Sequence, residues 1–270
     1  MAKFEIKDGV AIIPDGTTSI GERAFENCDS LTSIIIPNSV TSIGRLAFDG
    51  CTSLESVTIP EGVTEIGECA FYDCTSLKNI IIPEGVTRIV YRTFCNCSSL
   101  KEIIIPESVT EIGGGVFYGC TSLESITIPD SITSIGDVAF YGCTSLKSII
   151  IPESVTNIGF KAFSDCTSLE SITIPNSVTK IGWEAFRGCT SLESGVIPKG
   201  VRKIEERAFA GCTSLTTLTL PIGVNKIEEQ VFDECSALAA INVPAKKTDY
   251  YKQRLPEELH DKILELKYEK

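Results

Sequence analysis

Apolar positions along this chain follow neither the period of a long helix nor that of a long strand. Between one proline and the next, "PDSITSIGDVAFYGCTSLKSII" (129–150) sets apolar residues at fixed but uneven offsets, so each segment must hold several short elements. In "LKSIIIP" the inward residues are Leu146, Ile149 and Ile151, the last two at the two-residue step of a strand. Pro152 then ends the strand, because it has no N–H for a ladder. The next stretch carries Val or Ile three residues after proline (Val40 to Val224) and Ile six after it (Ile20 to Ile227), which predicts a corner with at most a short second strand. Glycine follows at Gly21, Gly44, Gly67, Gly113, Gly136, Gly159 and Gly182, predicting a tight turn or a positive φ, and it is replaced at Val90, Glu205 and Glu228. Finally "AFxxC" spaces Ala, Phe and Cys by one face of a single helical turn.

The pattern is periodic. Pro14, Pro37, Pro60, Pro83, Pro106, Pro129, Pro152, Pro175, Pro198, Pro221 and Pro244 stand 23 residues apart; Phe25 to Phe232 and Cys28 to Cys235 keep the same step. A period held over that length predicts one elongated solenoid, stabilised coil by coil through neighbour contacts. Stacked copies of the strand make a parallel sheet, and at about 4.8 Å per strand ten coils give a rod of roughly 48 Å. Phe on the helical side is bulkier than the Ile and Leu of the strand side, so the rod should curve with its sheet on the concave face.

Both raw ends of such a stack need covers. "FEIKDGVAII" alternates on either side of Asp8-Gly9, a dipeptide suited to a two-residue hairpin, so residues 1–13 are expected to form a β-hairpin cap. The solenoid spans 14–244. In 245–270 the period is lost, and Pro256 followed by Glu257 and Glu258 predicts a helical cap with Leu259, Ile263 and Leu266 on one face; a partner-binding helix is the rival reading.

The segments L-x-x-I-x-I-P, V-T-x-I-G and A-F-x-x-C together resemble the BspA-like leucine-rich repeats of bacterial surface antigens, over residues 10–244. The position eight residues after the first Leu, Asn in the commonest leucine-rich repeat, is Ser39, Gly62, Gly85 or Ser108 here. The resemblance implies a curved leucine-rich-repeat solenoid without enzymatic activity, and an adhesin-like role in some relatives.

Charge narrows the partners. With 24 basic against 36 acidic residues the chain carries −12, which argues against nucleic acid and anionic lipid as general partners. No apolar run approaches a spanning helix, and "MAKFEIKDGV" lacks the apolar core of a secretory signal, so a cytoplasmic location is expected, with secretion or surface display, as in exported family members, the alternative. Charge also divides along the rod: 49–175 hold 6 basic against 16 acidic residues, 176–226 hold 7 against 4.

Candidate chemistry is thin. Equivalent cysteines in stacked coils have parallel inward Cβ vectors, unsuited to a disulfide, and a linear ladder offers no converging zinc ligands; the one histidine, His260, lies beyond the repeats. The cysteines are expected to be reduced, buried small hydrophobes, with Cys69 and Cys95 off the ladder. Glu61, Glu84, Glu107, Asp130 and Glu153 follow proline in five successive coils, but on a protruding corner they form a solvated acidic edge rather than an acid/base pair. No phosphate loop and no nucleophile–histidine set occurs in the repeats, so no enzyme, cofactor or metal is expected.

Two surfaces remain. Ile35, Thr58, Ile81, Ile104, Thr127, Ile150 and Thr173, continued by Val196, Thr219 and Asn242, point out from the sheet, flanked by a charged file of Glu55, Lys78, Lys101, Glu124, Lys147, Glu170 and Glu193. Apolar area rimmed by charge fits a protein or glycan ligand. On the other side Tyr72, Tyr118 and Tyr141 share one offset, and Phe160 and Trp183 another, as a secondary patch. The leading expectation is a non-enzymatic interaction scaffold. The alternative is a structural protein that self-associates through ends or faces, and a third reading takes Thr18, Thr41, Thr64, Thr87, Thr110, Thr133, Thr156 and Thr179 as an ice-binding file.

Overall fold

The computed structural model describes residues 4–266; residues 1–3 and 267–270 of the expected end caps lie outside the described residues. The chain winds as a parallel β-solenoid with two ladders on different sides of each coil. The long ladder begins at Val10–Ile12, Ser33–Ile35, Ser56–Thr58 and Asn79–Ile81. It thins to single parallel bridges through Ile104 and Thr127, and resumes at Ser148–Ile150 and Ser171–Thr173. Ser194–Val196, Thr217–Thr219 and Ala240–Val243 continue it. The short ladder is made of two-residue strands from Ser19–Ile20 to Lys226–Ile227. Register in both is the repeat itself, as in Val57↔Ile80 and Ser148↔Ser171 of the long ladder and Ser42↔Glu65 of the short one.

The core is a set of files. Leu54, Leu77, Leu100, Leu123, Leu146 and their equivalents are fully buried, as are Phe25 through Phe209. The Phe rings stack one per coil with centroids 5.1 to 6.4 Å apart. Such offset stacking is worth about 0.5–1.5 kcal/mol per pair beyond burial, which ties each coil to the next.

The "AFxxC" side corrects the expectation of helical turns. Its backbone runs as consecutive hydrogen-bonded turns, with Ala24, Glu26 and Cys28 N–H donating to Gly21, Arg23 and Phe25 carbonyls. The intervening N–H groups donate instead to the next coil: Arg23 to Arg45, Phe25 to Ala47 and Asn27 to Asp49. Alternation of local and inter-coil bonds directs every second donor along the rod, which an α-helical turn does not do. The geometry needs left-handed residues at two places per coil, such as Arg23 and Asn27, Cys69 and Asp73, or Arg92 and Asn96, with φ between 54° and 60°.

The recurrent glycine also has a different cause from the one expected. Gly44, Gly67, Gly136, Gly159 and Gly182 are not in the left-handed region; a Cβ there would lie 2.5 to 2.7 Å from the backbone of the preceding coil. Close approach lets Gly44 and Gly67 N–H bond the Ile20 and Ile43 carbonyls at 2.8 Å. Where a side chain stands instead, the short ladder is interrupted: Arg88–Ile89 before Val90 does not pair with Glu65–Ile66, and Lys203–Ile204 before Glu205 does not pair with Lys180–Ile181. Glu228 is tolerated, since Lys203–Ile204 and Lys226–Ile227 pair. At the second of these breaks the long ladder is open too, with no pairing between Ser171–Thr173 and Ser194–Val196. Gly195 there holds an inward position that is Ile172 one coil earlier, and Ile172 and Ile174 are left half-buried. Both strand ladders therefore part at one seam. The coils stay bonded across it through the turn side, by Glu184 to Glu206, Phe186 to Ala208 and Gly188 to Ala210 one step on, and by Lys161 to Trp183, Phe163 to Ala185 and Asp165 to Arg187 at the seam itself. The approach to the long strand adds Ser191 to Thr167 and Glu193 to Glu170.

At the first end Ile6–Lys7 pairs antiparallel with Val10–Ile12 around Asp8 (φ 51°) and Gly9 (φ 80°), the backbone of a two-residue hairpin turn. At the other end the expected helix from Pro256 is replaced by shorter pieces. An α-helix, Thr248–Lys252, precedes a 3-10 helix, Glu257–Lys262, and Ile263–Glu265 then adds a parallel strand to Ala240–Val243. Ile263 is buried, whereas Leu264 and Leu266 face out, so Leu259, Ile263 and Leu266 do not form one helical face. Tyr251 is fully buried and donates its hydroxyl to the Pro221 carbonyl, which holds this end on the last coils.

Candidate functional site

The strands present two outward residues each, and the second recurs once per coil, in a line that runs to Thr173 and resumes beyond the open seam at Val196. Register links Ile12↔Ile35, Thr58↔Ile81, Ile81↔Ile104↔Thr127↔Ile150 and Ile150↔Thr173. Ile12, Ile35, Ile81, Ile104, Ile150 and Val196 are 57 to 78 % exposed, an aliphatic stripe open to solvent along the rod. Ile12 and Leu264 belong to this line and were not among the sequence candidates. Ile12 lies one period before Ile35 and was legible; Leu264 pairs with Asn242 off the period and was not.

Charge flanks the stripe. Lys78 pairs with Glu55 at 2.7 Å across one coil step. Lys78, Lys101 and Glu124 border an open recess of about 550 Å³ together with Asn79, Glu102 and Ser125. Exposed pairs of this kind add about 0–1 kcal/mol to stability, so their weight falls on orienting a charged partner.

The secondary patch separates into two. Tyr118 and Tyr141 stack at 4.8 Å, and a hydrogen bond to Asp165 pushes the Tyr141 phenol up to about 12. Tyr72 is cut off from them by the buried Cys95 at the intervening coil. Phe160 and Trp183 lie on the flank of the short ladder, beside Asp137, Asn157 and Lys180.

The remaining files have internal partners. Nine ladder thiols, Cys51 through Cys235, each direct Sγ at the carbonyl of the Phe 26 residues earlier, as Cys51 to Phe25 at 3.1 Å and Cys143 to Phe117 at 3.2 Å. The same carbonyl takes the N–H of the cysteine in its own coil, so the thiol supplies a second donor to an oxygen outside both ladders. Burial raises these thiols, Cys51 and Cys166 to about 12. Cys95 is buried as well, and Cys28 and Cys69 are half-buried. Thiol titration of the folded protein should find at most Cys28 and Cys69 reactive, rising to all twelve on denaturation without reductant; disulfide-linked ladder peptides in a non-reducing map would refute the arrangement. The hydroxyls of Thr41, Thr110, Thr156 and Thr179 donate to the carbonyls of Thr18, Thr87, Thr133 and Thr156 at 3.2 to 3.3 Å, which gives this file a structural task. Glu61, Glu84, Glu107, Asp130 and Glu153 are all exposed. Among the described residues no group of three or more His, Cys, Asp or Glu is placed to hold a metal ion, and no helix is long and apolar enough to cross a membrane.

Known proteins agree with this architecture. A leucine-rich repeat protein from Bacteroides ovatus is 32% identical, with 96% of this chain and 84% of that one covered and a TM-score of 0.52. One from Eubacterium ventriosum is 30% identical over 87% of this chain and 66% of that one, with a TM-score of 0.61. The pneumococcal vaccine antigen PcpA shares the fold at 22% identity and a TM-score of 0.65, over 87% of this chain and 68% of that one. No curated protein matches. The family model for the BspA type leucine rich repeat region matches residues 18–147 and 133–254, and the chain belongs to that family.

Proposed function

We propose that the protein is a non-enzymatic interaction scaffold that binds a protein ligand through the outward face of its long ladder. The observation that carries this reading is the line of exposed aliphatic side chains Ile12, Ile35, Ile81, Ile104 and Ile150, held in register by the coils beneath them with Thr58 and Thr127 between. A largely aliphatic stripe rimmed by Glu55, Lys78, Lys101, Glu124 and Lys147 has the make-up of an interface centre with a polar border. Substituting Ile81, Ile104 and Ile150 by Lys should abolish binding, since it puts charge into the apolar centre, while the melting temperature changes little because these side chains lie outside the core. The control replaces Tyr118, Tyr141 and Trp183 by Ser. Partners are captured in parallel from bacterial cytoplasm and from host matrix extract, which also decides the compartment. Loss of the partner in the aromatic variant with retention in the lysine variant would move the site to the opposite side.

Self-association is the second reading, favoured by one feature. At the last coils Val196, Pro221, Ile222, Pro244, Ala245 and Leu266 line an apolar groove of about 380 Å³, and Ile222 and Ala245 stand where earlier coils carry the acidic edge. Sedimentation of the wild type, and of a variant with Ile222→Lys, separates this from the first reading: a dimer lost on that substitution assigns the end groove to a second copy.

A further inference from the structure

The flank of the short ladder carries a recess, reaching to the open seam at Glu205, that the strand-face reading does not use. Asp137, Asn157, Phe160, Lys180, Trp183 and Glu205 surround about 370 Å³ of open space, within the size of small-ligand sites. Two aromatic rings from adjacent coils stand at its side, Trp183 50 % and Phe160 37 % exposed. Lys161 Nζ lies 5.1 Å over the Phe160 ring and covers part of it, which leaves the indole as the larger open platform. Asn157 Oδ1 receives no hydrogen bond but is closed off from solvent, so it lies behind the lining of the recess rather than facing into it.

The other polar groups are arranged to match. Asp137 Oδ1 takes the Phe160 N–H at 2.7 Å, which fixes the carboxylate at the rim. Glu205 is anchored by Lys203 at 2.6 Å. Lys180 is exposed and pairs with no carboxylate among the described residues. The recess therefore offers two carboxylates, one ammonium donor and a flat apolar platform. A phosphate or sulfate would meet both carboxylates, and an aliphatic chain would leave the polar groups without partners. A pyranose ring suits the set: its hydroxyls donate to Asp137 and Glu205, a ring or hydroxyl oxygen accepts from Lys180, and its C–H face lies on Trp183.

We propose that this recess is a carbohydrate subsite that holds one neutral pyranose unit of a glycan. It is independent of the strand-face interface, which uses residues of the other ladder. The protein contains a single tryptophan, so tryptophan fluorescence, excited where its tyrosines do not absorb, reports on this recess alone. Titration of the full chain with neutral oligosaccharides built on glucose, galactose, mannose or N-acetylglucosamine should give, for at least one of them, a saturable change in emission at roughly millimolar concentration, the weak range suited to a shallow open site. Asp137→Asn and Glu205→Gln should each weaken that binding about tenfold or more with circular dichroism and melting unchanged, and Trp183→Ala should remove it by ligand-observed NMR. Tyr118→Ser should bind as the wild type. The proposal is overturned if no sugar of the panel gives a saturable response, if a folded Asp137→Asn or Glu205→Gln variant binds unchanged, or if the sugar is lost instead on placing Lys at Ile81, Ile104 and Ile150. Retention of sugar binding when the protein partner is lost, and the reverse, separates the two sites.

Discussion

Raising the pH from about 8 to about 11 should unfold the protein in a steep transition near roughly pH 10. The buried thiols are the cause: burial lifts Cys51, Cys95 and Cys166 to about 12 and Cys235 to about 11, and holds Cys74, Cys97, Cys143 and Cys189 well above the ordinary thiol range. An unfolded thiol titrates at about 8.5. Above that pH the unfolded chain releases protons that the folded chain keeps, so stability is fully present below about pH 8.5 and falls as pH rises toward the folded values. Each thiol contributes a slope of about 1.4 kcal/mol per pH unit, and ten or so together give on the order of 10 kcal/mol per unit, against a typical total stability of roughly 5–15 kcal/mol. The steepness of the transition, followed by far-ultraviolet circular dichroism, counts the protons released. Replacing Cys143 and Cys166 by Ala should lower that count by about two. An unchanged steepness would show that other groups, tyrosines or lysines, drive the transition.

Gly136→Val should strongly damage the coil stacking. A Cβ at Gly136 lies 2.6 Å from the carbonyl carbon and oxygen of Gly113, backbone atoms held by the ladder below. Overpacking against such atoms forces the coils apart, at a cost of about 3 kcal/mol or more, and should lower the melting temperature by roughly 6–12 °C. Gly62→Ala is the matched control: its nearest neighbour would be the Asn38 carbonyl at 3.4 Å, and its effect should be neutral or slightly stabilising through the unfolded chain. Equal melting of the two variants would remove close approach as the reason for the recurrent glycine. Of the three natural exceptions, Val90 and Glu205 show the direction of the effect, since the short ladder opens beneath each of them, whereas Glu228 is accommodated with the ladder paired.

Much of the fold was legible because the same 23-residue unit is written many times. Inward Leu, Ile and Phe and outward Ile or Thr follow from strand alternation in a single coil, and repetition converts them into files. The turn side was misread for a physical reason. Spacing of Ala, Phe and Cys by three and four is shared by a helical turn and by successive i to i+3 turns, and only the backbone dihedrals separate the two. One signal did favour the second: the residue before a ladder cysteine is Asn27, Gly50, Asp73, Asn96, Gly119, Gly142, Asp165, Gly188 or Gly211, types that tolerate the left-handed region, and departs from them at Glu234 in the last coil. The other left-handed position carries no such signature, being Leu46, Cys69, Val138 or Lys161 among others. For the candidate site, the stripe was readable from strand parity. The recess at Trp183 was not, because it gathers side chains of successive coils, from Asp137 to Glu205, that stand at unlike offsets outside the recurring apolar pattern.

The open seam also bears on how the rod carries load. At every other boundary between coils of the solenoid the turns are joined by at least one strand ladder, but between Ser171–Ile181 and Ser194–Ile204 both ladders are open, and the fastening is left to the turns and the approach to the long strand. A beam joined along one side flexes about that side. Any bending of the last coils at this seam would widen or narrow the space between Trp183 and Glu205 on the open flank. Tension along the rod, of the kind felt by a molecule held at both ends, would concentrate there before it reached any other boundary.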